Sequence, residues 1–358
     1  MLKNEMDIGP IRPPSEGGSN SLLIRATRNC PWNMCTFCYG LSYNHEKFQL
    51  RSVDEIKEDI DIVRHIKDII NKTSIELGYE GEFNGHVFQS IIKDHSEMSS
   101  SPTFATVFYW LASGGKTVFL QDADSLIMKT HELVDVLNYL RLSFPSIERV
   151  TSYARAKTVL KKSEEGLREL RGAGLSRLHV GLETGDDFLL KKIKKGITTE
   201  EHIRAGKKVV KSGIELSTYI MPGLGGLDLS MEHAKNTATV LNKIDPKFIR
   251  SRPFVPRRGT PIFEEYENGD LRLLSPHSIL TEIGMLVNDL TVTSSICFDH
   301  AMNPSFRSGF EIIPLLDQSY EGYKLPDRKE EILEILAKGL AAEESKYFRP
   351  EDMIDAIL

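Results

Sequence analysis

Three of the chain's four cysteines, Cys30, Cys35 and Cys38, fall within nine residues directly after the apolar run Ser21 to Ile24, and the fourth, Cys297, lies far along the chain. Three thiolates hold three corners of a four-iron cluster and leave one iron without a protein ligand, free to bind something else. A structural zinc site needs a closed tetrahedron, usually built from two paired ligand hooks. Only one hook is visible, and His45, seven residues past Cys38, is the sole nearby candidate for a fourth ligand. Buried, unligated cysteines are the third reading. The residue types alone leave all three open.

The elements that must position this loop come next. Ser21 to Ala26 is a strand, and the cysteines follow its C-terminal end, where α/β folds place their chemistry because loops converge there. Ser52 to Asn71 carries apolar residues at helical spacing. Strand-like runs recur at Thr117 to Gln121, Glu148 to Ser152, Arg177 to Gly181, Glu215 to Met221 and Lys247 to Phe254. Helical segments separate them, at Ile127 to Leu142, Ser163 to Ala173, Asp187 to Lys195 with Glu200 to Ser212, and Met231 to Lys243. This alternation predicts an α/β fold with about six βα units, a partial (β/α)6 TIM-like barrel over residues 21–261. Residues 1–20, rich in Gly, Pro and Ser, read as an extended arm, and residues 262–358 as a C-terminal helical extension. Tyr79 to Gly114 exceeds the connection a barrel unit needs and reads as an inserted lid or substrate-side element, with an ordinary outer helical excursion as the alternative.

Polar residues at strand ends supply further candidates. Asp122 and Asp124 follow the second strand, and an acidic group there suits an ammonium partner or the N-terminus of the next helix. Arg250 and Arg252 alternate on one strand face, placed to meet an anionic group or a structural ion-pair partner. Asp299 and His300 form a polar cluster with the types of a proton donor and its support. The lysines Lys191, Lys192, Lys194 and Lys195 read as a solvated surface.

The cysteine spacing, C-x4-C-x2-C with Phe37 before the last cysteine, resembles the signature of the radical S-adenosylmethionine (radical SAM) enzymes, whose usual first gap is one residue shorter. Gly181-Leu182-Glu183-Thr184-Gly185-Asp186, Ile220-Met221-Pro222-Gly223 and the Pro-rich exit Phe254 to Pro261 are similar to that superfamily's later strands. These motifs resemble its cobalamin-linked, methylthiotransferase and oxygen-independent porphyrinogen branch, and because the N-terminal arm reads as too short for a cobalamin domain, none is expected ahead of the barrel. The resemblance implies a [4Fe-4S] cluster on Cys30, Cys35 and Cys38, with S-adenosylmethionine chelated at the open iron. Reductive cleavage would then give a 5'-deoxyadenosyl radical that abstracts hydrogen from a substrate. It further implies Phe37 beside the adenine, Tyr39 shielding the cluster, and Asp122 and Asp124 at the methionine amine. Glu183 would meet ribose hydroxyls or that amine, the Met221 turn would flank the adenine, and Arg252 would meet the methionine carboxylate or an anionic substrate. An electron donor such as ferredoxin or flavodoxin is the implied partner. The substrate, small molecule or macromolecule, is unnamed.

Composition narrows the field without choosing among the readings. With 45 basic and 51 acidic residues the net charge is -6, so no overall positive field points to nucleic acid or an anionic membrane. No apolar run has membrane-span or signal-peptide length, which makes the cytoplasm the expected compartment. Clustered rather than distributed cysteines suit a reducing compartment. The competing functions are a zinc-stabilised RNA-associated protein, an iron-sulfur electron carrier without SAM chemistry, and a fold that has lost turnover.

Overall fold

Short β-branched and apolar runs alternate with amphipathic stretches, and in the computed structural model, which describes residues 5–11, 20–38, 40–41, 45–308 and 311–355, they become strands and helices. Tyr39 lies outside the described residues. β1 (Ser21–Arg25) leads to α1 (Val53–Glu76), whose start is fixed by a capping box: Ser52 Oγ accepts the Glu55 N–H and the Glu55 carboxylate accepts the Ser52 N–H. α2 (Gly85–Asp94) and α3 (Pro102–Ala112) precede β2 (Thr117–Gln121), α4 (Thr130–Ser143) and β3 (Arg149–Ala154). α5 (Ala156–Lys161) and α6 (Glu164–Ala173) lead into β4 (Leu175–Glu183). Then come α7 (Asp187–Lys192), α8 (Thr199–Lys211), β5 (Glu215–Ile220), α9 (Gly226–Ile244) and β6 (Phe248–Ser251). The last elements are α10 (Pro261–Glu267), α11 (Pro276–Asp289), β7 (Ser295–Cys297), β8 (Tyr323–Lys324) and α12 (Lys329–Ala341).

The chain divides into two compact units, residues 1–31, 46–154 and 162–178, and residues 32–45, 155–161 and 179–358. In the first, β1, β2 and β3 are parallel neighbours, with Leu23 opposite Phe119 and Phe119 opposite Thr151. Their apolar side chains are buried on both faces, as parallel strands covered by helices require. α1 packs on α4, and α4 on α6. In the second, β5, β6 and β7 are parallel, with Tyr219 opposite Arg250 and Arg250 opposite Cys297, and β8 joins β7 antiparallel. β4 begins in the first unit and ends in the second. This mostly parallel βα alternation is the α/β class of a partial TIM-like barrel. No helix among the described residues is long and apolar enough to cross a membrane.

Two segments differ from the sequence reading. Within 79–114, α3 packs against α1 and β1 and buries Phe104, Val107, Phe108, Trp110 and Leu111, which is core packing rather than the exposed seat of a lid. Past residue 261 the chain also returns to the sheet, because β7 pairs with β6. A three-residue strand is too short to show a period of two, so Ser295 to Cys297 read only as a polar loop.

One buried imidazole makes a stability prediction. His202 on α8 is 3% exposed, its Nε2 has no hydrogen-bond partner among the described residues, and it shares a small cavity with Val159, Val180, Leu216 and Ile244. Burial, helped by the Lys195 charge, holds its pKa down to about 3 from 6.5. The unfolded chain therefore takes up this proton first, so the stability contributed by neutral His202 is present above about pH 6.5 and is lost on acidification at about 1.4 kcal/mol per pH unit. His202→Leu should leave stability at about pH 7 unchanged or slightly higher, since it removes an unsatisfied polar atom. It should also flatten the decline in urea midpoint between about pH 6.5 and 4. An unaltered acid limb would show that the loss comes from other groups.

Candidate cofactor-binding site

In the first unit the cysteine loop is closed at its base by a two-residue antiparallel ladder, Thr27 opposite Leu50 and Arg28 opposite Gln49. Asn29 then turns the chain with φ 61°, a left-handed conformation that asparagine tolerates better than most residues. Its N–H donates to Asp122 Oδ2 at 3.2 Å, and its Oδ1 accepts the Cys30 N–H at 2.6 Å. Asp122, fully buried, accepts from Arg25 through Nε at 3.0 Å and Nη2 at 2.8 Å. Burial pushes the Asp122 carboxyl up, and Arg25 only partly pulls it back. Arg25 also meets Asp7 at 3.0 Å and Glu46 at 2.5 Å. Asp7 belongs to a strap, residues 5–11, that crosses the ends of β1 and β2: Asp7 accepts from Arg28 at 2.8 Å, and the Gly9 N–H donates to Gln121 Oε1 at 2.9 Å. A Cβ on Gly9 would fall 2.1 Å from Asp122 Oδ1, so this glycine lets the strap lie directly over the carboxylate. Asp122 is thus placed as a strut for the start of the cysteine loop. Asp124, equally buried, opens the short turn Ser125–Ile127, and its charge acts on Lys162.

In the second unit Cys35 and Cys38 flank a turn in which the Cys38 N–H donates to the Cys35 carbonyl at 3.1 Å. Thr36, between them, is pinned through both backbone groups: its N–H donates to Ile193 O at 3.0 Å and its carbonyl accepts the Ile262 N–H at 3.3 Å. Trp32 anchors the preceding stretch by donating from Nε1 to Lys194 O at 2.7 Å, its ring against Gly196. Phe37 and Met221, 184 positions apart in sequence, pack against one apolar cluster of Ile193, Leu224, Phe254, Ile262 and Leu271.

Lys195 corrects the surface reading of its lysine run. α7 ends at Lys192, and Gly196 turns the chain at φ 74°, so the run is not one solvated helix face. The Lys195 ammonium is 2.6 Å from Glu183 Oε1, with side chains 14% and 11% exposed, and stands 5.6 Å from the Phe37 ring centre. Burial works to lower its pKa, but Glu183 and then Cys35 more than offset this, and Lys195 is held above the usual range. Lys195→Met, which strands Glu183 without its cation, should cost about 3 kcal/mol in urea unfolding. A loss under about 1 kcal/mol, the scale of a surface pair, would show that the ion pair is effectively solvated.

The Glu183 turn itself has φ 64° and is followed by Gly185, where a Cβ would lie 2.3 Å from Asn236 O on α9. The Gly185 N–H donates to Thr237 Oγ1 at 2.9 Å, and Asp186, rather than Glu183, caps α7 by accepting the Leu189 N–H at 2.8 Å. The glycine in this motif is therefore a helix-contact requirement.

Asp299 was expected to support His300. Instead its two oxygens accept from Arg250 Nη1 at 2.5 Å and Arg252 Nη1 at 3.0 Å, so the carboxylate is occupied by both strand arginines. His300 Nδ1 accepts the Met302 N–H at 3.2 Å, which leaves its ring proton on Nε2. Burial, then Arg252, holds His300 down to about 4, so it is neutral near neutral pH.

None of the four cysteines is in a disulfide, and Cys30, Cys35 and Cys38 are partly exposed while Cys297 is buried. Cysteine sulfur is a donor that fits the soft ligand demand of an iron-sulfur cluster. Among the described residues no three His, Cys, Asp or Glu side chains are already gathered at metal-ligating distance.

Residues 107–238 match the sequence profile of the Radical SAM superfamily. The matched stretch begins after the cysteine loop. Enzymes of this class use a [4Fe-4S] cluster and S-adenosylmethionine as cofactors.

Among relatives, the tRNA uridine(34) acetyltransferase of Methanocaldococcus jannaschii is 26% identical over 111 residues, 30% of this chain and 20% of that protein. The 4'-phospho-dehydrooxetanocin synthase of Priestia megaterium is 22% identical over 302 residues, 75% of this chain and 36% of that protein. The solved structure of Elp3 from Methanocaldococcus infernus, with an N-terminal deletion, aligns with TM-score 0.47 and 14% identity over 89% of this chain and 63% of that one. The chain thus spans only a fifth to about a third of the first two relatives' lengths.

Proposed function

We propose that Cys30, Cys35 and Cys38 hold the [4Fe-4S] cluster and that the chain reductively cleaves S-adenosylmethionine to abstract hydrogen from a substrate still to be identified. The observation that carries this reading is the pinned Thr36 turn, whose backbone ties the stretch between Cys35 and Cys38 to Ile193 and Ile262 of the apolar cluster that Phe37 and Met221 pack against, with the Lys195 ammonium of the Glu183–Lys195 pair near the Phe37 ring. When bound, the cluster and S-adenosylmethionine supply one-electron cleavage of a carbon-sulfur bond. The chain's residues position and shield. Asn29 and Asp122 set the backbone at Cys30, Phe37 and Met221 form an apolar wall for the adenine, and Glu183, oriented by Lys195, meets the ribose hydroxyls or methionine amine through its second carboxylate oxygen. Arg252, tied to Asp299, lends positive charge for a carboxylate, and neutral His300 offers its Nε2 proton. Asp124, buried behind the second strand's end, contributes negative field rather than a direct contact. Metal binding gathers the three sulfurs, as is usual where a site is not preformed. A ferredoxin or flavodoxin in the cytoplasm is the proposed electron donor.

The test is anaerobic reconstitution with iron and sulfide, then dithionite and S-adenosylmethionine. Roughly four irons per chain and formation of 5'-deoxyadenosine are expected. A colourless, air-stable protein with about one zinc per chain would overturn the proposal in favour of a structural site.

A further inference from the structure

Behind the two glycine turns of the second unit lies a buried polar pair that neither turn's motif includes. Glu282 on α11 is 2% exposed, and its Oε1 accepts the Gly223 N–H at 2.6 Å while Oε2 accepts from Ser230 Oγ at 2.5 Å. His233 on α9 is 1% exposed and bridges the turns, with Nε2 3.1 Å from Met221 O and Nδ1 2.8 Å from Thr184 Oγ1. A carbonyl only accepts, so Nε2 carries the proton and, in the neutral ring, Nδ1 accepts from the Thr184 hydroxyl. The same Nε2 is 3.7 Å from Glu282 Oε1. The Met221 N–H also donates to Glu183 O at 3.0 Å, which ties the two turns directly.

Burying a carboxylate and an imidazole costs free energy unless their partners are well placed. Helices α9 and α11 could pack through apolar residues alone. Three of the pair's four hydrogen bonds instead go to backbone or hydroxyl groups of Thr184, Met221 and Gly223, and the fourth goes to Ser230 on α9. Gly223 has φ 85°, a conformation that the Glu282 bond fixes from behind.

We propose that Glu282 and His233 are positioning residues for the adenosine end of S-adenosylmethionine, acting through Gly223, Met221 and Thr184. This inference rests on the function proposed above. Neither side chain needs to touch the cofactor. They set the height and angle of the backbone wall against which the adenosine lies, and have no part in chelation at iron.

The experiment uses the anaerobically loaded, reduced protein and reads the change in its cluster EPR spectrum on titration with S-adenosylmethionine, and separately with methionine. Glu282→Ala should weaken S-adenosylmethionine binding about tenfold, with the ligand-free spectrum and the methionine titration unchanged. Glu282→Gln, which keeps one acceptor for Gly223, should recover most of that loss. Should Glu282→Ala fail to fold, Thr184→Val removes the hydroxyl that His233 holds while keeping volume, and should weaken binding about fivefold. Wild-type S-adenosylmethionine affinity in a folded, loaded variant would overturn the inference, and so would an equal loss for methionine, which would place the effect at the iron. A wild-type chain that takes up no cluster would sink the proposed function itself, and this inference with it.

Discussion

Cys35→Ala should abolish cluster binding and S-adenosylmethionine cleavage together, while Cys297→Ala leaves both intact. The two cysteines sit in opposite environments. Cys35 is partly exposed, in a turn whose neighbour Thr36 is held by its backbone, so removing the sulfur takes away the proposed ligand without removing the contacts that place the turn. Cys297 is buried on β7, its Sγ 3.4 Å from Tyr320 O, and burial pushes its thiol up to about 12, the state of an inert structural cysteine. Iron in Cys35→Ala should fall from roughly four per chain to below one, since two thiolates cannot hold the cluster. The 5'-deoxyadenosine rate should drop by about a thousandfold or more, and far-ultraviolet circular dichroism should not change. Iron retained at wild-type level would remove Cys35 from the ligand set. Loss of iron in Cys297→Ala would mean that the fourth cysteine joins the site.

The sequence carried the βα order because the parallel strands are short runs rich in apolar and β-branched residues between amphipathic helices, and it carried the cysteine loop because ligand spacing is local. What it concealed depends on contacts distant in sequence or on a single turn. Lys195 shares a charge run with the exposed Lys191 and Lys194, and it leaves the helix face for Glu183 where α7 ends and the chain turns through positive φ at Lys194 and Gly196. A lysine directly before a glycine past a helix end was the available signal. Arg250 and Arg252 were legible as one strand face, yet nothing local revealed that Asp299, 47 residues beyond Arg252, would occupy both. His233 and Glu282 sit on the buried faces of α9 and α11, where spacing shows burial but not the hydrogen bonds that burial demands. The strap was visible only as a Gly- and Pro-containing arm, and Asp7 gave no sign of the arginines it meets.

Asp122→Ala should destabilise the protein by about 3 kcal/mol and cut iron uptake to less than about half, a pairing of effects that separates a strut from a ligand contact. The substitution leaves Arg25, whose side chain is 5% exposed, without two of its hydrogen bonds, and strands the Asn29 N–H in a site that excludes water. A non-glycine residue at φ 61° costs on the order of 1 kcal/mol, and the Asp122 and Cys30 bonds are what offset it. Freed of them, Asn29 should relax out of the left-handed region and carry the Cys30 backbone with it, so the first proposed cluster ligand loses its place. Asp122→Asn keeps the shape and one acceptor oxygen, and should fall between wild type and alanine in both urea stability and iron content. If Asp122→Ala proved as stable and as iron-rich as wild type but bound S-adenosylmethionine weakly, the carboxylate would be serving the methionine amine, as the superfamily resemblance implies, and the strut would be wrong. The full burial of Asp122, beneath Gly9 and against Arg25, is why the first outcome is expected.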